Sequence, residues 1–341
     1  MIKKIIAYSE PLEEINAKGE IGVSGDCVGV LVGGKRVEPI IANVLDDHTP
    51  VTFSLFSAVG NDARGQKINT FLQNNGIDTS LLSVIEGTNT AAFTIDIEMQ
   101  SGKHTMHYHD RDHSAVRQLF NTAHQQKIND VINALDQNSF FILSGIGASR
   151  PLTDEAYRNF FDMVKRAKEK GACIILDPNF RWKLWKKNPH DTLEIAQQYG
   201  QEVMCKLVKF ATMVFITYPD DLAYFAEVAT TPETLGKQLL AHGPRYVVVK
   251  NGDKGALLFS NDHQEHPLTI SPYPANAVDT SGAGDAFLAG AVTALAHGAD
   301  IVTALKIAAR TGAQMVQQHG ALLSARSVPD ESLLRADLAY I

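Results

Sequence analysis

Several things are scarce in this 341-residue chain, and each scarcity removes a class of function. Only three cysteines occur, Cys27, Cys173 and Cys205; they lie far apart, are odd in number and never show CxxC spacing. Neither a disulfide framework nor a zinc site is indicated, and each thiol reads as buried and inert. Positive charge is not in excess: 31 lysines and arginines face 38 aspartates and glutamates, a formal net charge of −7. Such a chain has no global attraction for nucleic acid or an anionic membrane, so any anionic ligand must be held locally. No stretch approaches eighteen uninterrupted apolar residues, and the apolar run in MIKKIIAYSE is too short for a signal sequence and is followed at once by acidic residues. The expectation is a cytoplasmic protein without a membrane span. Low-complexity tracts, internal repeats and linkers between independent domains are missing too, which points to one domain over residues 1–341.

What is present is a 45% hydrophobic, 20% charged chain able to bury a large core. KKIIAYS, VTFSLFSAV, SFFILSG, ACIILD, MVFIT and RYVVVK are short apolar runs rich in Val, Ile and Phe, the pattern of strands covered on both faces. Amphipathic helices fall between them. The clearest spans Thr153 to about Lys170, with Thr153 as cap, Asp154 and Glu155 at its positive end, and Tyr157, Phe160, Phe161 and Val164 on one stripe before Gly171. Repeated strand, helix, strand units imply right-handed crossovers and an α/β fold: a mainly parallel sheet with helices on both faces. Ligands of such sheets bind beyond the carboxyl ends of the strands.

One region departs from this alternation. In TAAFTIDIEMQSGKHTMHYHD, Phe93, Ile95, Ile97 and Met99 alternate with Thr94, Asp96 and Glu98, and Ser101-Gly102 marks a turn. This predicts a half-exposed hairpin within a small antiparallel sheet, joined by the extended segment Pro11 to Val23, with the lid drawn from residues of about 10–25 and 88–112.

The stretch AVDTSGAGDAFLAGA, Ala277 to Ala291, sets three glycines and two aspartates at the head of an apolar helix. Gly282, Ala283 and Gly284 allow close backbone approach, and a helix starting near Asp285 would aim unpaired N–H groups and its positive dipole end into the space above the loop. That is an anion cradle. Asp285 at its rim is placed to take a proton from a hydroxyl attacking a phosphoryl group held by those amides.

The string DTSGAGDAFLAG resembles the C-terminal signature of the PfkB, or ribokinase-like, carbohydrate kinases. The likeness runs over nearly the whole chain through SEPLEEI, SGD, SGIGAS, ILDPNFRWKLW, VVVKNGDKGALLF and HGALLSARSVP. HDRDHSA and PNFRWKLW resemble most closely the 2-keto-3-deoxygluconate kinases. The resemblance implies a three-layer ribokinase-like sandwich with a β-sheet lid, and transfer of the ATP γ-phosphoryl group to a primary hydroxyl. It implies Asp285 as base with Gly282, Ala283 and Gly284 as anion hole. Asn179, Lys250, Gly252, Gly255, Asp279 and Thr280 fall to the nucleotide, and Gly25, Asp26, Tyr108, His109, Arg111 and Arg181 to the sugar acid. Mg2+ is expected on the nucleotide phosphates with Asp221 as the metal candidate, and the resemblance admits a monovalent cation and a homo-oligomer formed through the lid. Nucleic acid and membrane are not expected partners.

Arginine suits bidentate recognition of a carboxylate, and two arginines converging on a pocket for a neutral hexose would lack a counter-charge. His104, His107, His109 and His113 fit no common closed zinc site and read as a polar lid surface. Trp182 and Trp185 in FRWKLWKK read as packing plus a basic rim rather than a nucleic-acid platform. Four positions depart from the family pattern: Ser24 for a glycine, Gly29 for a substrate-contacting asparagine, Tyr218 for the asparagine of an NxxE motif and Asp221 for its glutamate. Gly29, Gly33 and Gly34 are further expected to weaken the helix they occupy. A neutral-sugar kinase and a catalytically silent sugar- or nucleotide-binding member are the alternatives.

Overall fold

The computed structural model describes residues 2–16, 19–97, 104–151, 153–188, 190–225, 231–261 and 266–339. Thirteen strands are formed among them: β1 Lys4–Tyr8, β2 Leu12–Ile15, β3 Ile21–Ser24, β4 Thr52–Gly60, β5 Leu82–Ile85, β6 Ala92–Ile97, β7 His104–His109, β8 Ser139–Ser144, β9 Cys173–Asp177, β10 Met213–Thr217, β11 Tyr246–Lys250, β12 Ala256–Ser260 and β13 Leu268–Ile270. Nine build the large sheet, in the order β13-β12-β11-β10-β9-β8-β1-β4-β5. Every pairing from β11 to β5 is parallel, and β12 and β13 close the other edge antiparallel. All six strands expected from apolar runs are present. Their continuous hydrophobicity follows from burial on both faces: Ile6 and Tyr8 of β1 join one core with Phe120, Phe141 and Phe160, while Ile5 and Ala7 join the other with Phe53, Phe215 and Phe287. Two cores separated by one sheet make the three-layer α/β sandwich.

Helix punctuation follows the sequence closely. The helix Asp154–Glu169 begins where Thr153 Oγ1 accepts the Ala156 N–H at 3.1 Å, and it buries Tyr157, Phe160 and Val164, with Phe161 half-buried. The stretch after β3 is different. Three glycines and Pro39 argue against a helix there, yet Asp26–Leu45 is a continuous twenty-residue helix. Packing overrides propensity: a Cβ on Gly33 would lie 3.2 Å from the Ala289 Cβ, and one on Gly34 only 2.6 Å from the Phe53 ring. The glycines are what let this helix press against the helix Ala283–Ala296 and β4.

Four strands form the small sheet, in the order β3-β2-β6-β7. The β6–β7 hairpin pairs antiparallel from Ala92 opposite His109 to Ile97 opposite His104. Its turn, with Met99, Ser101 and Gly102, lies outside the described residues, as does Glu98. The sheet is mixed rather than antiparallel as expected, because β2 runs parallel to β6. The reason is topological: β2 follows β1 and β6 follows β5, and both leave the carboxyl ends of strands that run the same way in the large sheet.

Candidate active site

Three strands of the large sheet end side by side on polar residues: Asp177 closes β9, Thr217 closes β10 and Lys250 closes β11. Above these carboxyl ends lies a cavity of about 750 Å³. Its wall brings together Asn179, Arg181, Asp221, Lys250, Gly252, Gly255, Thr280 and the run Gly282 to Asp285. Asp279 is not in that wall. It ties the loop instead, accepting N–H groups of Ser281 at 2.9 Å and Gly320 at 3.0 Å.

The helix Ala283–Ala296 starts at Gly282, whose φ of 73° is left-handed and whose missing Cβ would sit 2.2 Å from the Ala321 carbonyl oxygen. Only glycine satisfies both conditions. The first residues of this fourteen-residue helix, Ala283 to Asp285, line the cavity, and the Ala283 N–H is held by the Thr280 carbonyl of the preceding turn at 3.2 Å. A Cβ on Gly284 would lie 3.3 Å from Lys250 Nζ, so the ammonium stands directly beside the loop.

Lys250 is buried and donates to Asp177 Oδ2 at 2.9 Å. Burial opposes its charge, but Asp177, Asp221 and Asp285 outweigh burial and hold its pKa above the ordinary lysine value. Asp285 moves well above the ordinary carboxyl range through burial and the charges of Asp26 and Asp177, with Lys250 and Arg181 pulling the other way. A carboxylate made this basic can receive a proton from an alcohol.

Asp26 stands at the start of its helix, buried and raised in pKa by desolvation. Its Oδ1 accepts from Ser9 Oγ and, at 2.7 Å, from the Cys27 N–H, and Asn179 Nδ2 approaches Oδ2 at 3.4 Å. Asn179 holds a left-handed φ of 37°, so it links the β9 turn to the Asp26 side of the site rather than only to the nucleotide side. Gly25, with φ 137°, has room for no Cβ, which would fall 2.8 Å from the Glu10 carbonyl oxygen.

The two arginines do not stand as the sequence suggested. Arg111 is buried but already has a counter-charge: its Nε donates to Glu10 Oε2 at 2.7 Å, and the Tyr108 ring covers its guanidinium at 4.2 Å. Arg181 is exposed at the cavity rim and donates to the Phe180 carbonyl at 2.8 Å. His109 is exposed on β7, 3.2 Å from Thr94 Oγ1. The premise of two uncompensated guanidinium groups in one pocket is therefore replaced by a Glu10–Arg111 pair under the small sheet and a separate Arg181 at the rim. Glu10 and Asp177 went unassigned in the sequence, although each is an acidic residue just past or at the end of a buried strand, a recognisable oddity.

Asp221 accepts the N–H groups of Phe180 at 2.7 Å and Thr217 at 2.8 Å, fastening the turns after β9 and β10. Burial and the Asp177 charge push its carboxyl up to about 6. Among the described residues, no group of three or more His, Cys, Asp and Glu is arranged to hold a metal ion. Trp185 is buried, and Lys183 and Lys186 stand over the Trp182 ring at 5.8 and 5.5 Å.

Residues 11–327 match the family described as pfkB family carbohydrate kinase. The chain belongs to the PfkB family of carbohydrate kinases. This PfkB chain is thus a sugar kinase, of a family that binds a sugar substrate and ATP. It is 29% identical over 269 residues to a 2-dehydro-3-deoxygluconokinase of Haemophilus influenzae, 78% of this chain and 80% of that one. It is 23% identical over 334 residues to the enzyme of that name from Escherichia coli K12, covering 96% of this chain and all of the other. The fold is ribokinase-like. A fructokinase of Vibrio cholerae O395, bound to fructose, ADP and calcium, superposes with a TM-score of 0.74 at 20% identity, over 99% of both chains. No helix among the described residues of the PfkB chain is long and apolar enough to cross a membrane.

Proposed function

We propose that this PfkB kinase phosphorylates a six-carbon keto-deoxy sugar acid, 2-keto-3-deoxygluconate, at its far hydroxyl with ATP. One observation supports the acid over a neutral sugar above others: buried Arg111, beneath Tyr108 and next to the Asp26 side of the site. Glu10 takes its Nε and Tyr108 a further part of the guanidinium, which still has amino N–H donors to offer a carboxylate. The two relatives named 2-dehydro-3-deoxygluconokinase agree with this choice, while a fructokinase of Vibrio alginolyticus, 26% identical over 79% of this chain, does not.

In this reading the nucleotide lies along Gly252, Gly255 and Thr280, with its γ-phosphoryl group between the Gly282–Gly284 amides and Lys250 Nζ. Asp26 and Asn179 accept and donate hydrogen bonds to acceptor hydroxyls. The far hydroxyl gives its proton to Asp285 as its oxygen attacks phosphorus, and ADP departs. Mg2+ would arrive on the nucleotide rather than on a protein ligand set, with Asp221, whose two oxygens already accept the Phe180 and Thr217 N–H groups, as the one candidate carboxylate; the ion would supply charge neutralisation on the phosphates. Lys250 and the loop amides add the chain's own share of that neutralisation.

A neutral-sugar kinase is the second reading, and the observation in its favour is that Glu10 already balances Arg111. An ADP-release assay over 2-keto-3-deoxygluconate, gluconate, fructose and ribose separates the two. The highest kcat/KM is expected for the keto-deoxy acid, and a higher value for fructose or ribose would overturn the assignment. No ADP release with any sugar would overturn both.

A further inference from the structure

Beneath the small sheet lies a cluster of charge that the phosphoryl-transfer machinery does not use. Arg111, Arg117 and Arg150 are all buried there, and Arg150 is wholly inaccessible. The one buried carboxylate among them is Glu10, which takes Arg111 Nε at 2.7 Å and Ser114 Oγ at 2.7 Å, and has Arg150 Nη1 at 3.4 Å. Arg117 donates to the Arg111 carbonyl at 3.1 Å and reaches only Asp112, whose side chain is 88% exposed. Ser149 Oγ accepts from Arg150 Nε and Nη2 at 3.2 and 2.9 Å. Arg150 Nη1 is buried with no hydrogen-bond partner. Three guanidinium groups thus outnumber their buried counter-charge, a costly arrangement unless an anion joins them.

The cluster adjoins the acceptor side of the site. Glu10 follows Ser9, which binds Asp26, and the Glu10 carbonyl abuts Gly25. Glu10 aims Arg111 by gripping Nε, but the same negative charge cancels that of Arg111 for an approaching acid. Arg150 Nη1 approaches the same oxygen, Glu10 Oε2, that takes Arg111 Nε, and its charge offsets that of Glu10.

We propose that Arg150 is a specificity-positioning residue: by neutralising Glu10 it lets Glu10 orient Arg111 without repelling the carboxylate of the acceptor. The inference rests on the sugar-acid reading. Burial, opposed by Glu10, brings the Arg150 guanidinium down to about 10, so it remains charged at neutral pH.

The test is steady-state kinetics with 2-keto-3-deoxygluconate at saturating ATP. Arg150→Met should raise KM for the acid at least tenfold with a much smaller change in kcat, the split expected for lost attraction in the ground state. Adding Glu10→Gln to Arg150→Met removes both members of the pair and should recover most of that KM, which loss of packing alone would not do. Arg150→Lys keeps the charge and should stay within a few-fold of wild type. Should Arg150→Met not fold, Arg150→Gln with and without Glu10→Gln gives the same comparison. An unchanged KM in the single variant, failure of the double variant to recover, or a tenfold loss in Arg150→Lys would overturn the proposal. A wild-type enzyme that prefers fructose overturns the sugar-acid reading itself, and this inference with it.

Discussion

Gly29 lies directly against Asp285: a Cβ placed on Gly29 would stand 3.0 Å from Asp285 Oδ2 and 3.1 Å from its Cβ. The residue that departs from the family's asparagine is therefore the one that makes room for the candidate base. Gly29→Ala gains about 1 kcal/mol of helix propensity, offset by about 1–3 kcal/mol of overpacking. Thermal stability should change little, while kcat falls about tenfold or more because Asp285 must shift. Calorimetry and single-turnover kinetics on one preparation check both halves, and unchanged kcat would refute the crowding argument.

Asp285→Asn should lower kcat by about a hundredfold or more while leaving ATP binding near normal. In the wild type, kcat/KM should rise with pH through a value above the ordinary carboxyl range, since burial, Asp26 and Asp177 all raise this group and only its ionised form is a base. The same shift governs stability. A carboxyl with a raised folded-state pKa contributes fully below its unfolded pKa, and the contribution is lost as pH climbs through the folded value. Asp285→Asn should thus gain melting temperature over wild type as pH rises from 5 to 8. A constant difference between the two melting curves would contradict the pKa argument.

Asp221→Ala strips acceptors from the Phe180 and Thr217 amides at once. With about 1–3 kcal/mol for each buried donor left unsatisfied, a loss of about 3 kcal/mol or more is expected in urea unfolding. Asp221→Asn keeps one acceptor and should cost less. Its unfolding free energy should also lose the pH dependence that wild type shows as Asp221 ionises near 6.

Amides of β6 and β7 should exchange faster without acceptor than with it, if the small sheet closes over the sugar. Hydrogen-exchange mass spectrometry with and without 2-keto-3-deoxygluconate reads this directly. Equal exchange in both states would leave the sheet a fixed wall.

Much of this architecture could be read from residue patterns because its causes are local. Thr153, the apolar strands and the DTSGAGD loop each carry their own physical reason, and they fold as that reason requires. The failures are non-local. Gly29, Gly33 and Gly34 look like poor helix formers until the neighbouring helix and Phe53 are known. The parallel β2–β6 pairing follows from where two distant strands emerge. Arg111 looked uncompensated because its partner Glu10 is 101 positions away, and Arg150, the third charge in that group, has no motif to mark it.

The small sheet is made of two excursions from the chain, residues 12–24 between β1 and the first long helix, and 92–109 after β5. Asp285, Lys250 and Asp177 belong instead to the large sheet and its helices. Of the residues proposed to meet the acceptor, only Tyr108 and His109 lie on these excursions; Asp26, Arg111, Asn179 and Arg181 belong to the turns and helix that the large sheet carries. A chimera taking both excursions from a fructose-specific relative is therefore expected to inherit the transfer apparatus intact but to keep the host's acceptor, unless Glu10, Asp26, Arg111, Arg150 and Asn179, which stay behind, are changed along with them.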